Sequence, residues 1–254
     1  MSKIVTAAMM VIGNEILSGR TQDANIQHLA EELGNKGIQL KEVRIVPDIE
    51  DMIVEATQQL SSRYNYLFTT GGIGPTHDDI TSDCIAKAFG VENVIHPVAF
   101  KLMADFYASK DIDFNTARQR MAHTPEGAEL VENHVSLAPG YRMKNVFVLA
   151  GVPRIMRNML AGILPSLENG SVIKSHAIST DLPEGVLAEH LSSLQAEFPQ
   201  VDIGSYPKDR KGKVGYDVTL ILRSSDYDGL KSSAQKLQTT LVSLGGLAVE
   251  GETL

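Results

Sequence analysis

The sequence predicts an α/β fold in which a mostly parallel sheet carries helices on both faces, followed by a small α+β C-terminal domain. Three observations predict it. First, β-rich runs over residues 4–12, 38–46 and 64–70 alternate with segments whose apolar residues recur at helical spacing. That β-α-β-α-β-α order implies parallel strands joined by right-handed crossovers. Second, residues 4–12 are continuously apolar, the pattern of a strand covered on both faces. Third, beyond Pro165 the order changes to β-α-β-β-α, a small split layer. The 254 residues, 43% hydrophobic, exceed what one typical domain needs. The expected division is 1–167 and 168–254.

Each element has its own signal. The first strand stops at Gly13, and a polar loop runs from Asn14 to Asp23. Asp23 is placed to cap a helix whose apolar face is Ile26, Leu29, Ala30 and Leu33, and Gly37 ends that helix. The second strand, 38–46, closes at Pro47. Asp48, with Asp51 three residues on, resembles a capping box before a helix carrying Ile49, Ile53, Ala56 and Leu60. The third strand, 64–70, runs into Gly71-Gly72-Ile73-Gly74-Pro75-Thr76-His77-Asp78-Asp79, and the helix that follows reaches about Phe89, with Gly90 as its stop. Residues 97–110 and 115–123 read as helices, 125–128 as a turn, and 135–141 with 145–149 as two strands joined through Gly140. Ala150-Gly151-Val152-Pro153 is a second tight loop, before a helix over about 154–164. Residues 165–170 form a linker. The tail has strands at 172–179, 201–206 and 214–222 and helices at 185–198 and 227–244, with a charged hairpin tip at 208–213.

Composition excludes several classes. Lys and Arg number 23 against 31 Asp and Glu, a net charge of -8, so no positive surplus exists to hold nucleic acid non-specifically. The N-terminal apolar run is short and passes into Gly13-Asn14-Glu15 without a small-residue cleavage pattern, and no stretch reaches the length of a membrane span. The expectation is a soluble, cytoplasmic protein with neither nucleic acid nor membrane as partner. The single cysteine, Cys84, allows no intrachain disulfide and no cysteine zinc site; in register with Ile80, Ile85 and Ala88 it reads as a core residue. No histidines pair at i,i+4, and His77 reads as a solvent-facing loop residue. Ser18 sits in the first loop, but no Gly-x-Ser-x-Gly elbow exists to support nucleophilic catalysis.

The glycine loop carries the chemistry. A strand, a glycine-rich turn and a helix start together aim backbone N–H groups at an anion. The loop lacks the Gly-Lys-Ser/Thr of a phosphate loop, and the third glycine of a dinucleotide fingerprint would fall on His77. Asp78 and Asp79 would repel a phosphate directly; a divalent cation between carboxylate and phosphate reconciles them. Asp79 also fits a helix cap, and Asp48 fits either a cap or the site. The loops after residues 12, 46 and 70 all lie at strand carboxyl ends, where ligands bind in such sheets, so Glu15, Asp48 and Asp79 can meet in space.

At residues 70–81 the chain resembles the MoaB/Mog-like molybdopterin-binding domain family, in the form found at the N-terminus of CinA proteins and in eukaryotic FAD synthetase. Ile12-Gly13-Asn14-Glu15-Ile16-Leu17-Ser18-Gly19 with Asp23 and Asn25, Val46-Pro47-Asp48, Asn115-Thr116-Ala117-Arg118-Gln119, Pro125-Glu126-Gly127-Ala128, Ala138-Pro139-Gly140 and Gly151-Val152-Pro153 extend the likeness. Gly204-Ser205-Tyr206-Pro207 and the β-α-β-β-α tail resemble the second domain of that group. The resemblance implies a three-layer α/β/α sandwich and a homo-oligomer. It implies a nucleotide or pterin ligand held by Gly13, Glu15, Ser18, Asn25, Gly71, Gly72, Gly74, Pro75, Thr76, Gly151 and Pro153. The family's acidic residues map onto Asp48 and Asp79; with Asp78 these are the candidate catalytic groups, Asp78 and Asp79 holding a divalent ion (magnesium, manganese or cobalt). The activity implied is metal-dependent hydrolysis of a nucleotide diphosphate bond, in ADP-ribose or FAD. The alternatives are molybdopterin binding and adenylylation, or a non-catalytic ligand-binding module.

Departures accompany the likeness. The extra deamidase domain of CinA and the adenylyltransferase domain of FAD synthetase do not fit in 254 residues, and those activities are expected to be absent. The family's Leu-Pro-Gly-Val-Pro-x-Glu-Met run has Ala150 for the first Pro and Ile155 for the Glu, and Ser136-Leu137 replaces a Gly-Thr.

Overall fold

The first apolar run becomes the middle of a sheet because both of its faces are covered. In the computed structural model, which describes residues 3–209 and 216–251, Val5–Ile12 (β1) is followed by a short helix Asn14–Leu17 (α1), helix Asn25–Asn35 (α2) and strand Ile38–Val46 (β2). Helix Glu50–Arg63 (α3), strand Tyr66–Thr70 (β3) and helix Thr81–Phe89 (α4) complete the repeat. Strand Asn93–Ile95 (β4), helix Pro97–Ser109 (α5), helix Thr116–Gln119 (α6) and strand His123–Pro125 (β5) come next. The unit ends with strands Glu129–Val131 (β6), Gly140–Met143 (β7) and Val146–Leu149 (β8) and helix Pro153–Ile163 (α7).

Among the described residues the main sheet has the order β2-β1-β3-β8-β7-β6, with β2, β1, β3 and β8 parallel and β7 and β6 antiparallel. Alternate residues of β1 divide two cores. Val5, Ala7, Met9 and Val11 pack with Leu29 and Leu33 of α2 and Met156, Met159, Leu160 and Ile163 of α7. Ala8, Met10 and Ile12 pack with Ile53, Ala56 and Leu60 of α3 and Cys84 and Ile85 of α4. This is the three-layer α/β/α sandwich. Burial pushes the Cys84 thiol up to about 12, so it is an inert core residue, as its spacing implied.

The chain divides into two compact units, the first closing at Gly170 and the second opening at Ser171. The second comprises strand Lys174–Thr180 (β9), helix Glu184–Glu197 (α8), strands Asp202–Asp209 (β10) and Tyr216–Ser224 (β11), helix Tyr227–Ser243 (α9) and strand Val249–Gly251 (β12). Its sheet, β10-β11-β9-β12, is antiparallel, and Ile178, Val218, Leu220 and Leu222 meet Leu187 and Leu194 of α8 and Leu230, Leu237 and Leu241 of α9.

Four expectations are corrected. Residues 135–139 are not strand. The buried Asn133 side chain donates to Ser136 Oγ (2.6 Å) and the Ala138 carbonyl (2.8 Å) and accepts from the N–H groups of Val135 (2.9 Å) and Ser136 (3.2 Å). It claims polar groups that a ladder would need. Gly140 therefore opens β7 rather than joining two strands, and the hairpin turn lies at Lys144, with φ 54°. Residues 115–123 are helical only in part: a 3₁₀ turn follows α6, and His123 enters β5, which pairs with β4. The polar loop after β1 contains α1, and the tail ends in β12, which pairs with β9. At the charged hairpin tip, β10 reaches Asp209; residues 210–215 lie outside the described residues.

Candidate ligand-binding site

Asp48, Gly13 and Glu15, the glycine loop and Gly151 follow β2, β1, β3 and β8, four strands adjacent in the sheet, so the topology alone lines them up along one carboxyl edge. They border a cavity of about 370 Å³, within the size range of small-molecule sites. From the expected set the cavity gathers Gly13, Glu15, Asp48, Gly71, Gly72, Gly74, Thr76, Asp78, Asp79 and Gly151. Ser18, Asn25, Pro75 and Pro153 lie outside its wall. Ser18 Oγ is engaged with the Glu15 carbonyl (3.2 Å) and Arg20 Nε (3.2 Å), and Pro75 is exposed. Asn25 and Pro153 line a separate small cavity of about 70 Å³; there Asn25 Nδ2 donates to the Gly151 carbonyl (2.8 Å), tying α2 to the loop after β8.

The glycine loop is built by close approaches. Gly71 has φ 103°, and a Cβ there would collide with the Ile12 carbonyl oxygen; its own N–H donates to the Leu149 carbonyl (3.3 Å). The turn thus joins the ends of β1, β3 and β8. A Cβ on Gly74 would lie 2.6 Å from Asp79 Oδ2.

Both ambiguous aspartates resolve away from helix capping. Asp79 Oδ2 accepts from the Thr76 N–H (2.8 Å) and from the Thr76 hydroxyl, closing the loop on itself, and α4 has no side-chain cap. Asp48 Oδ2 accepts from the Asn14 N–H (3.0 Å), and α3 likewise has no side-chain cap. Asp23 does cap: its Oδ1 accepts from the N–H groups of Asn25 (2.9 Å) and Ile26 (2.7 Å). The Thr76 hydroxyl, and secondarily the backbone N–H of Asp78, hold the Asp78 carboxyl below its ordinary range.

Three anion donors expected in the loop are spent elsewhere: the Gly71 N–H on the Leu149 carbonyl, and the N–H and hydroxyl of Thr76 on Asp79. The N–H groups of Gly72, Ile73 and Gly74 have no partner among the described residues and remain available. Ile12, Ile73, Met121, Asn133, Ser136, Ala138, Ala150, Val152 and Ile155 also border the cavity, although none of them stands among the site residues expected from the sequence. Asn133 had a signal, since asparagine before a His-Val-Ser stretch is turn chemistry; the others lie in runs that carry the family resemblance or depart from it, except Met121, which had none. Among the described residues no three His, Cys, Asp or Glu side chains converge as a metal cluster, and no helix is long and apolar enough to cross a membrane.

Residues 8–169 match the family described as the probable molybdopterin binding domain. The chain belongs to that family. Residues 173–244 match a second family, the middle domain of FAD synthase. A protein of Archaeoglobus fulgidus is 32% identical over 230 residues, covering 91% of this chain and 95% of the relative. One from Pyrobaculum calidifontis is 34% identical over 212 residues, covering 80% and 81%. Among solved structures, the CinA protein of Thermoplasma acidophilum, whose function is described as unknown, is 30% identical with a TM-score of 0.60, covering 64% of this chain and 98% of that one. Membership thus agrees with the MoaB/Mog-like, CinA-type likeness carried by residues 70–81, and the two matched families fall one on each unit.

Proposed function

We propose that this cavity binds a nucleotide diphosphate and hydrolyses its diphosphate linkage with the help of a divalent metal ion, ADP-ribose and FAD being the candidate substrates. One observation carries the reading: residues 72–74, whose three N–H groups have no partner among the described residues, line the same cavity as Asp48, Asp78 and Asp79. The N–H groups suit phosphate oxygens. The carboxylates suit them only with a cation between.

The donor set fits such an ion. Asp48 and Asp79 each commit Oδ2 to a backbone N–H, which leaves the other oxygen for a ligand. Asp78 is held in its ionised form. With no cluster of three, the fit is to an ion held by one or two carboxylates together with substrate oxygens, the manner of magnesium at phosphate sites. When bound, the ion supplies an activated water and neutralises charge on the departing phosphate. The chain's own part is positional: Thr76 fixes Asp79, residues 72–74 donate to the diphosphate, and Ala150, Val152 and Ile155 give apolar cover to a ring.

Incubation with ADP-ribose and FAD over magnesium, manganese and cobalt tests this. The expected products are AMP with ribose 5-phosphate, and AMP with FMN. No product with any metal, or undiminished turnover in Asp79→Ala, removes the reading.

Family membership supports a second reading, molybdopterin binding and adenylylation in the same cavity. Pterin fluorescence in the purified protein, or adenylylated pterin formed from ATP, is its mark. The substituted positions Ala150 and Ile155 both border the cavity and support a third, ligand binding without catalysis. Nucleotide binding by calorimetry with no turnover marks that one.

A further inference from the structure

A second cavity, of about 150 Å³, lies against the glycine loop, and residues 72–74, Asp79 and Met121 border both cavities. Gly72, Ile73 and Gly74, whose N–H groups have no partner among the described residues, therefore line both compartments. The second compartment is less than half the size of the first, about 150 Å³ against about 370 Å³, the scale of one small ring.

Its walls are polar in a particular way. Tyr141 is 1% exposed, and its buried hydroxyl interacts with the Ser82 side chain without reaching full hydrogen-bond geometry to any described residue. Asn93 donates from Nδ2 to Asp83 (2.7 Å), but its Oδ1 is buried without a partner. Burial raises the Tyr141 phenol well above its ordinary value, so it stays a neutral donor. Arg120, whose Nη2 donates to the Asp79 carbonyl (3.4 Å), is the cation at this wall, set against Asp79 and Asp83. Buried polar atoms left unpaired are costly, and a ligand that pairs them recovers that cost. The walls offer neutral donors and acceptors in mixture, with carboxylates that disfavour a phosphate. A hydroxylated sugar ring, whose groups both donate and accept, has that complementary chemistry.

We infer that this compartment is a sugar subsite: it takes the sugar attached to the diphosphate, while the diphosphate lies along residues 72–74 and the rest of the ligand fills the larger cavity. This rests on the diphosphate reading above and adds the division of the ligand about the glycine loop.

Calorimetry in magnesium with two non-hydrolysable ligands separates the two ideas: the α,β-methylene analogue of ADP-ribose, which carries the sugar, and methylenediphosphonate, which does not. Tyr141→Phe is expected to weaken the ADP-ribose analogue about fivefold to tenfold, the loss of one hydrogen bond, while methylenediphosphonate binds as before. Its melting temperature is expected to hold or rise, since a buried unpaired hydroxyl is removed. Ser82→Leu, which fills the compartment, is expected to abolish the preference for the sugar-bearing ligand. If the wild type binds both ligands and neither variant changes the preference, or both ligands weaken equally, the sugar subsite is wrong and the diphosphate reading stands. If the wild type binds neither, the diphosphate reading fails and takes the subsite with it.

Discussion

Two loops of the same backbone grammar lie side by side at the edge of the main sheet. One follows β3 and the other follows β8; each leaves an apolar strand, turns at a glycine and leads towards a helix. They are joined directly, by the Gly71 N–H on the Leu149 carbonyl. Their side chains differ. The first brings Thr76, Asp78 and Asp79 to the cavity, and the second brings Ala150, Val152 and Ile155. Strand–glycine–helix geometry therefore supplies position, and the residues placed on it supply chemistry, which is why the fold alone does not name the reaction. On the reading proposed here the charged loop manages a diphosphate and the apolar loop covers a ring.

The most severe break of this contrast is Asp79→Asn. The amide oxygen still accepts from Thr76, so the loop keeps its shape while the charge is lost. Turnover of ADP-ribose is expected to fall at least about 100-fold, with the urea midpoint unchanged. A fall in both together would make Asp79 a structural residue only. Next comes the joint between the loops. Gly71→Ala places a methyl against the Ile12 carbonyl at φ 103° and is expected to cost about 1–3 kcal/mol, read from urea unfolding. Full stability would mean that the two loops are not held in contact as described. A smaller effect is expected from making the apolar loop resemble the charged one. Ile155→Glu puts a carboxylate where a ring is to be covered and should weaken a flavin or adenine nucleotide about tenfold, as expected when apolar contact worth roughly 1.4 kcal/mol is lost. Tighter binding of such a ligand would show that the β8 loop contacts the metal or its phosphates instead.

The contrast also explains what the sequence disclosed. The sandwich was legible because the β-α-β-α-β-α order is clear and β1 is apolar on both faces, and the glycine loop because three glycines, a threonine and two aspartates lie within nine residues. Asp48 and Glu15 could be placed because the β-α repeat puts strand carboxyl ends together. What escaped was set by long-range packing. Asn133 organises its loop through four hydrogen bonds that its neighbours' β-propensity conceals. The three-residue β4, β5 and β6 are too short for periodicity to register. Asn25 entered as a ligand residue by likeness; its Nδ2 donates to the Gly151 carbonyl and so holds the apolar loop, while its Oδ1 is buried without a partner among the described residues. Nor could spacing show that the Thr76 and Gly71 donors are already used, which moves the free N–H groups to 72–74.

The finest test concerns Thr76, which touches both aspartates of the charged loop. Its hydroxyl bonds Asp79 and is the main reason that the Asp78 carboxyl titrates below its ordinary range. A carboxyl whose folded pKa lies below its unfolded value adds stability that is present above about pH 3.9 and is lost as pH falls through the folded value. Asp78 is exposed, so the expected effect on stability is small, and the informative quantity is the titration itself. In Thr76→Ala the Asp78 carboxyl is expected to titrate at higher pH, and the acid limb of metal-dependent turnover to shift the same way, while Gly72, Ile73 and Gly74 still bind methylenediphosphonate. Carbon-detected NMR of the aspartate carboxyls reads the first, and a pH–rate profile the second. If the acid limb moves while the Asp78 resonance does not, the group limiting catalysis is Asp79 or Asp48, and the role assigned to Asp78 passes to them.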